Sequence, residues 1–155
     1  MRMKRKNFAT LAIALFFSIL AGCGTTGGDN PDEVNAEGEL KVSIEAGSNH
    51  QYKLIIENGT AKDETLTFGS SQNYDYYIKK PDGTIAYTYS ADKSFLAVIK
   101  EVVIKAGERL EFDLDITEAL QYLEAGEYTI EAWVSANELA EKKATIPFYY
   151  DRKGA

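Results

Sequence analysis

The stretch YDYYIKKPDGTIAYTY, residues 74–89, puts a large apolar side chain at every second position on both sides of a turn signal. Tyr74, Tyr76 and Ile78 alternate along one arm, and Ile85, Tyr87 and Tyr89 along the other, the two-residue period of a strand with one buried face. Between the arms Pro81 presets φ for a type I turn, and Gly83 supplies the left-handed position that follows. The stretch predicts an antiparallel hairpin with its six large side chains facing one way.

The same period continues on either side. Upstream, Leu40, Val42 and Ile44 alternate with Lys41, Ser43 and Glu45; Tyr52, Leu54 and Ile56 follow as far as Asn58-Gly59, and Leu66 and Phe68 mark a short third strand. Asn58-Gly59-Thr60 has the form of a glycosylation sequon but reads as a turn. Downstream, residues 91–97 break the alternation, and a strand is predicted around Val98 to Ile104. Leu110, Phe112, Leu114 and Ile116 then alternate with Arg109, Glu111, Asp113 and Asp115. Asp115 to Glu118 has capping-box spacing and predicts a short helix running towards Gly126. Tyr128, Ile130, Ala132 and Val134 form the next strand, and Ile146, Phe148 and Tyr150 the last.

Many short strands, regular turns and one short helix predict an all-β protein, an immunoglobulin-like antiparallel β-sandwich. The run from Leu123 to Tyr128 has the spacing of a tyrosine corner, in which a phenol bonds back to nearby backbone. Ile130 stands where an immunoglobulin domain would carry its second cysteine, so no inter-sheet disulfide is expected.

The N-terminal part has a different character. Arg2, Lys4, Arg5 and Lys6 precede an apolar run from Phe8 to Leu20, too short to span a bilayer and of the length of a signal-peptide core. Leu20-Ala21-Gly22-Cys23 follows, and this resembles the lipobox of bacterial lipoproteins. That resemblance implies cleavage before Cys23, a diacylglycerol lipid on its thiol, and a domain anchored to the membrane on its extracytoplasmic side. The expected organisation is a signal peptide over 1–22, a flexible glycine-rich and acidic tether over 23–37, the sandwich over 38–150 and a tail over 151–155. Cys23 is the only cysteine, so the domain must be held together by hydrophobic burial. The net charge of −7 becomes more negative once the basic leader is removed, which argues against nucleic-acid partners. The protein is expected to be a monomer.

Catalytic chemistry is scarce. His50 is the only histidine and reads as a surface residue beside a turn, with no nucleophile elbow or phosphate-cradling glycine loop elsewhere. Glu111, Asp113 and Asp115 share one strand face, but alternate positions about 7 Å apart do not converge on a single ion. No enzyme, cofactor or metal site is predicted. Trp133 and Tyr149 fall on the polar side of their strands and form a candidate surface for protein or glycan contact.

Read in order, Ile56 to Thr60, Leu66-Thr67-Phe68, Gln72 to Tyr76, Asp82-Gly83, Tyr87 to Ser90, Phe95, Gly107-Glu108 and Gly126-Glu127-Tyr128 resemble the intracellular proteinase inhibitor family of bacilli, BsuPI. Tyr87 and Tyr89 stand where that family leads one to expect tryptophans. The resemblance implies an immunoglobulin-like sandwich that inhibits a subtilisin-class serine protease. An inhibitor needs an exposed loop bearing an apolar side chain. The best candidate is Ala91 to Ala97, with Phe95 and Leu96 as protease contacts, Phe95 being the one expected to plug the core. The alternative is a structural or adhesive envelope module that binds protein or glycan without inhibiting anything.

Overall fold

The computed structural model describes residues 38–152. Cys23, the leader-like segment and the tether lie outside the described residues, as do the last three residues of the tail. The elements are β1 (Leu40–Ala46), β2 (Gln51–Asn58), β3 (Glu64–Phe68), β4 (Tyr74–Lys79), β5 (Ile85–Thr88), β6 (Lys100–Ile104), β7 (Arg109–Asp115), α1 (Thr117–Leu120), β8 (Gly126–Val134) and β9 (Lys143–Tyr150). One layer is the sheet β1-β2-β7 and the other is β5-β4-β8-β9, with β3-β6 as a separate two-stranded ribbon. Every pairing is antiparallel. Two antiparallel sheets enclosing one core make this an immunoglobulin-like β-sandwich, as the sequence predicts.

The alternating apolar residues of the sequence meet between the layers. Tyr52, Leu54 and Ile56 of β2 and Leu114 of β7 face Tyr76 and Ile78 of β4 and Tyr128, Ile130, Ala132 and Val134 of β8, all buried. Burial of each such aliphatic side chain contributes about 1.5–3 kcal/mol, and this replaces the missing disulfide. Two tyrosines of β4 also tie the layers by hydrogen bonds. Tyr74 donates to the carbonyl of Asp113 at 3.0 Å and Tyr76 to that of Asp115 at 3.4 Å. Burial pushes both phenols well above the ordinary tyrosine value.

The hairpin closes as its turn residues require. Gly83 N–H bonds Lys80 O at 2.9 Å, Lys80 N–H bonds Thr84 O at 2.8 Å, and Gly83 takes φ 86°. One detail departs from the sequence expectation. The ladder between β4 and β5 shifts register at Ile78/Lys79, so Tyr87 lies opposite Ile78 but Ile85 lies opposite Lys79. This bulge turns Ile85 out of the inward-facing set, and it is 48% exposed. Tyr74, Tyr89, Tyr76 and Tyr87 remain linked in that order by ring contacts, with Tyr76 and Tyr89 stacked at 5.1 Å.

Asn58 closes β2 and is fully buried. Its Nδ2 donates to the carbonyls of Lys62 (2.8 Å) and Ile104 (2.9 Å), and its Oδ1 accepts from Thr60 N–H (2.9 Å) and Thr60 Oγ1 (2.8 Å). The amide is thus fully engaged in joining β2 to the end of β6, and no glycan could reach it. At the entry to β8, Tyr128 donates to the carbonyl of Glu124 at 3.0 Å, which is the tyrosine corner. The helix is shorter than its spacing suggests. Asp115 Oδ1 accepts from Thr117 N–H at 2.9 Å, and the Thr117 hydroxyl together with that N–H holds the Asp115 carboxyl below its usual range. Glu118 bonds Lys93 at 2.8 Å instead of completing a capping box.

Candidate functional site

After β5 the chain makes two tight turns, with Ala91 N–H on Thr88 O (3.3 Å) and Lys93 N–H on Ser90 O (3.2 Å). Lys93 is then fixed in place: its ammonium bonds Glu118 at 2.8 Å and lies 4.7 Å from the centre of the Tyr89 ring. The Glu118 carboxylate holds that ammonium above the ordinary lysine value. From residue 94 to residue 99 the chain belongs to no helix or strand. The strand predicted from Val98 begins instead at Lys100, opposite Phe68.

This segment is clamped at both ends. Upstream, Leu96 N–H donates to Ser71 Oγ at 3.0 Å, and Ser71 N–H donates to Leu96 O at 2.9 Å. Downstream, Lys100 enters the ladder with β3, its Nζ bonds Asn73 Oδ1 at 2.5 Å, and the same ammonium sits 4.7 Å from the centre of the Phe68 ring. Phe95 is half-buried, with its ring 6.5 Å from that of Tyr89. Leu96 is 76% exposed, Val98 49%, Ile99 77% and Val103 57%. Of the seven large apolar side chains exposed among the described residues, these four lie between residues 96 and 103. Such a concentration on one edge marks a contact surface.

Sequence reasoning placed Phe95 and Leu96 here but missed Val98, Ile99 and the clamp from Ser71. Adjacent residues of a strand point to opposite faces, so Val98-Ile99 would put one apolar side chain on the face away from the core, and that was the available signal. The Ser71 contact spans 25 residues and leaves no local pattern.

The other candidates are arranged differently. Trp133 is half-buried on the outer face of the β5-β4-β8-β9 sheet, edge-on to Tyr77 at 4.8 Å, with Lys143 4.8 Å from its ring centre. Beside it Glu131 bridges Lys79 (2.8 Å) and Lys143 (3.3 Å), and the Lys79 bond holds its carboxyl below the usual range. Tyr149 pairs with Glu127 whereas Trp133 pairs with Lys143, so the two aromatics are about 20 Å apart and do not form one surface. Glu111 is paired with Lys53 at 2.6 Å and Asp115 accepts from Thr117 N–H at the helix start, so two of these three carboxylates are engaged within the fold. The ring of His50 packs edge-on against Phe148 and Tyr150, and its backbone is left-handed (φ 59°).

Residues 37–139, about two thirds of the chain, match the family model described as BsuPI, intracellular proteinase inhibitor. That description overturns the extracytoplasmic placement drawn from Leu20 to Cys23. An inhibitor has to share a compartment with its protease, and the family is described as intracellular. It also describes inhibitors rather than enzymes. No curated protein matches the chain. Among solved structures it is similar to the CARDB domain of a Pyrococcus furiosus protein solved with di-metal ions, at 19% identity and a TM-score of 0.40, covering 80% of this chain and 98% of that one. It is also similar to a GH3 β-glucosidase of Bifidobacterium adolescentis, at 22% identity and a TM-score of 0.35 over 72% of this chain. A β-glucosidase of Kluyveromyces marxianus gives 12% identity and 0.35 over 73% of this chain. The chain spans only 17% and 14% of those two enzymes. The match over residues 37–139 covers β1 to β8 and the clamped segment at residues 94–99, and the chain belongs to the BsuPI family of intracellular proteinase inhibitors.

Proposed function

We propose that this protein inhibits a subtilisin-class serine protease by presenting residues 94–99 to the protease cleft as an extended, substrate-like segment. The observation that carries this reading is the clamped apolar segment itself. Leu96, Val98 and Ile99 are exposed, while their chain is fixed by Ser71 before them and by the β3-β6 ladder after them. Holding a loop in its bound shape removes ordering cost from association, which is how a short segment can bind tightly. A protease cleft takes an extended peptide by main-chain pairing and reads it through side-chain pockets, and this segment offers exposed apolar groups on a chain that belongs to no helix or strand. Phe95 acts from behind as a support, since its ring is turned towards Tyr89.

Titration of the full chain against a panel of subtilisin-class proteases tests the reading. Saturable inhibition that is lost when Leu96, Val98 and Ile99 are together replaced by Asp supports it. Inhibition of no protease in the panel refutes it and gives the lead to the binding module that does not inhibit.

A further inference from the structure

Within the segment the main chain is used unequally. Leu96 has both its N–H and its C=O bound to Ser71. Lys93 has its N–H bound to Ser90. Ala97, Val98 and Ile99 have no hydrogen bond to the rest of the fold, and the ladder resumes at Lys100. A residue that fills the main specificity pocket of a serine protease must give its C=O to the oxyanion hole and its N–H to the cleft wall. The residue two positions before it must also pair with the cleft through both groups, as a strand does when it adds to a sheet edge. With Leu96 in the pocket, the first pair of groups is already occupied. With Val98 there, Leu96 is the residue two positions back and is occupied again. Phe95 would need Lys93, whose N–H is bound, and its own ring is turned inwards.

Among the registers that put a large apolar side chain of the segment into the pocket, one leaves all four groups available: Ile99 in the pocket, with Ala97 two positions before it. Among the large apolar side chains of the segment, Ile99 at 77% is as exposed as Leu96 at 76%. We infer that Ile99, and not Leu96, is the residue that enters the main pocket of the target protease, which must therefore accept a β-branched aliphatic side chain. Leu96, three positions upstream, then meets the cleft by its side chain alone, while Ser71 keeps its main chain in the scaffold. This inference rests on the inhibitor reading given above.

The experiment compares Ile99→Asp, Leu96→Asp and Ser71→Ala in the full chain, measuring inhibition constants against a protease the parent inhibits, with a melting curve for each variant. Both Asp substitutions fall on exposed side chains, so the melting curves should match the parent. Ile99→Asp should raise the inhibition constant by at least about a hundredfold, because it puts a charge into a desolvated pocket. Leu96→Asp should cost no more than about tenfold. Ser71→Ala should weaken binding through lost preorganisation without moving the preferred site. Mass spectrometry after long incubation with protease should find the first cut between Ile99 and Lys100. If Leu96→Asp costs as much as Ile99→Asp or more, or if the first cut follows Leu96, the register is overturned and the inhibitor reading stands. If neither Asp variant weakens inhibition, the segment is not the contact and both proposals about it fall. A parent that inhibits nothing removes both together.

Discussion

Tyr128→Phe tests the fold at its most diagnostic bond. The substitution deletes one oxygen and keeps the ring, so the stacking of Tyr128 on Phe148 at 5.7 Å survives and only the bond to Glu124 O at 3.0 Å is lost. A net hydrogen bond is worth about 1 kcal/mol, and an acceptor left dry adds about 1–3 kcal/mol more. The carbonyl of Glu124 lies in a turn whose side chain is exposed, so water can reach it in part and the penalty falls at the low end. The expected loss is about 1–2 kcal/mol, or a fall in Tm of roughly 4–8 °C for a domain of this size. Urea denaturation should move the midpoint without changing the slope, because the buried area is unchanged. An unchanged midpoint would refute the claim that this bond locks the entry to β8. A loss above about 3 kcal/mol would equally refute the bookkeeping, by showing that the ring had moved as well.

Other outcomes follow from backbone and charge. A Cβ on Gly38 would lie 1.5 Å from the carbonyl oxygen of Gly59, so Gly38→Ala should destabilise by about 1–3 kcal/mol as β1 gives way, read from the denaturation midpoint. Gly83→Ala meets open space but keeps φ 86°, so it should cost only about 1 kcal/mol, and a larger loss would mean the turn has rearranged. Glu131 has its folded-state pKa depressed, chiefly by the Lys79 bond, so its contribution to stability is present above the ordinary glutamate value and is lost as pH falls through the folded value. Glu131→Gln should therefore flatten the acid limb of the stability profile below about pH 4.5 and leave the neutral region nearly flat.

What the sequence made legible was whatever a two-residue period can express. The inward faces of β2, β4, β7 and β8, the Pro81-Asp82-Gly83 turn and the Leu123 to Tyr128 corner all follow from local spacing. The failures arise where one extra residue or a distant partner intervenes. A bulge between β4 and β5 turns Ile85 outwards, because period-two reading assumes an unbroken register. Glu118 had the spacing to cap its own helix, yet Lys93, 25 residues away, offers a full charge. The candidate site shows the same limit. A break in alternation revealed a loop at residues 91–97, but which of its main-chain groups are occupied depends on Ser71, and that contact exists only in the folded chain.

The Asn58-Gly59 junction carries a chemical clock. In an open chain the amide nitrogen of a glycine readily attacks the side-chain carbonyl of a preceding asparagine, expelling ammonia through a succinimide that reopens as aspartate or isoaspartate. Here the fold disarms that reaction: Gly59 N–H is turned to Glu39 O at 3.2 Å, and the Asn58 amide is held by the carbonyls of Lys62 and Ile104 and by Thr60. Every excursion to the unfolded state releases it. A molecule that deamidates there must return with a carboxylate where two carbonyl oxygens expect an amide donor, and it finds no place to put the charge. Storage life should therefore track the unfolded population, and the damage should be irreversible even for a domain that otherwise refolds.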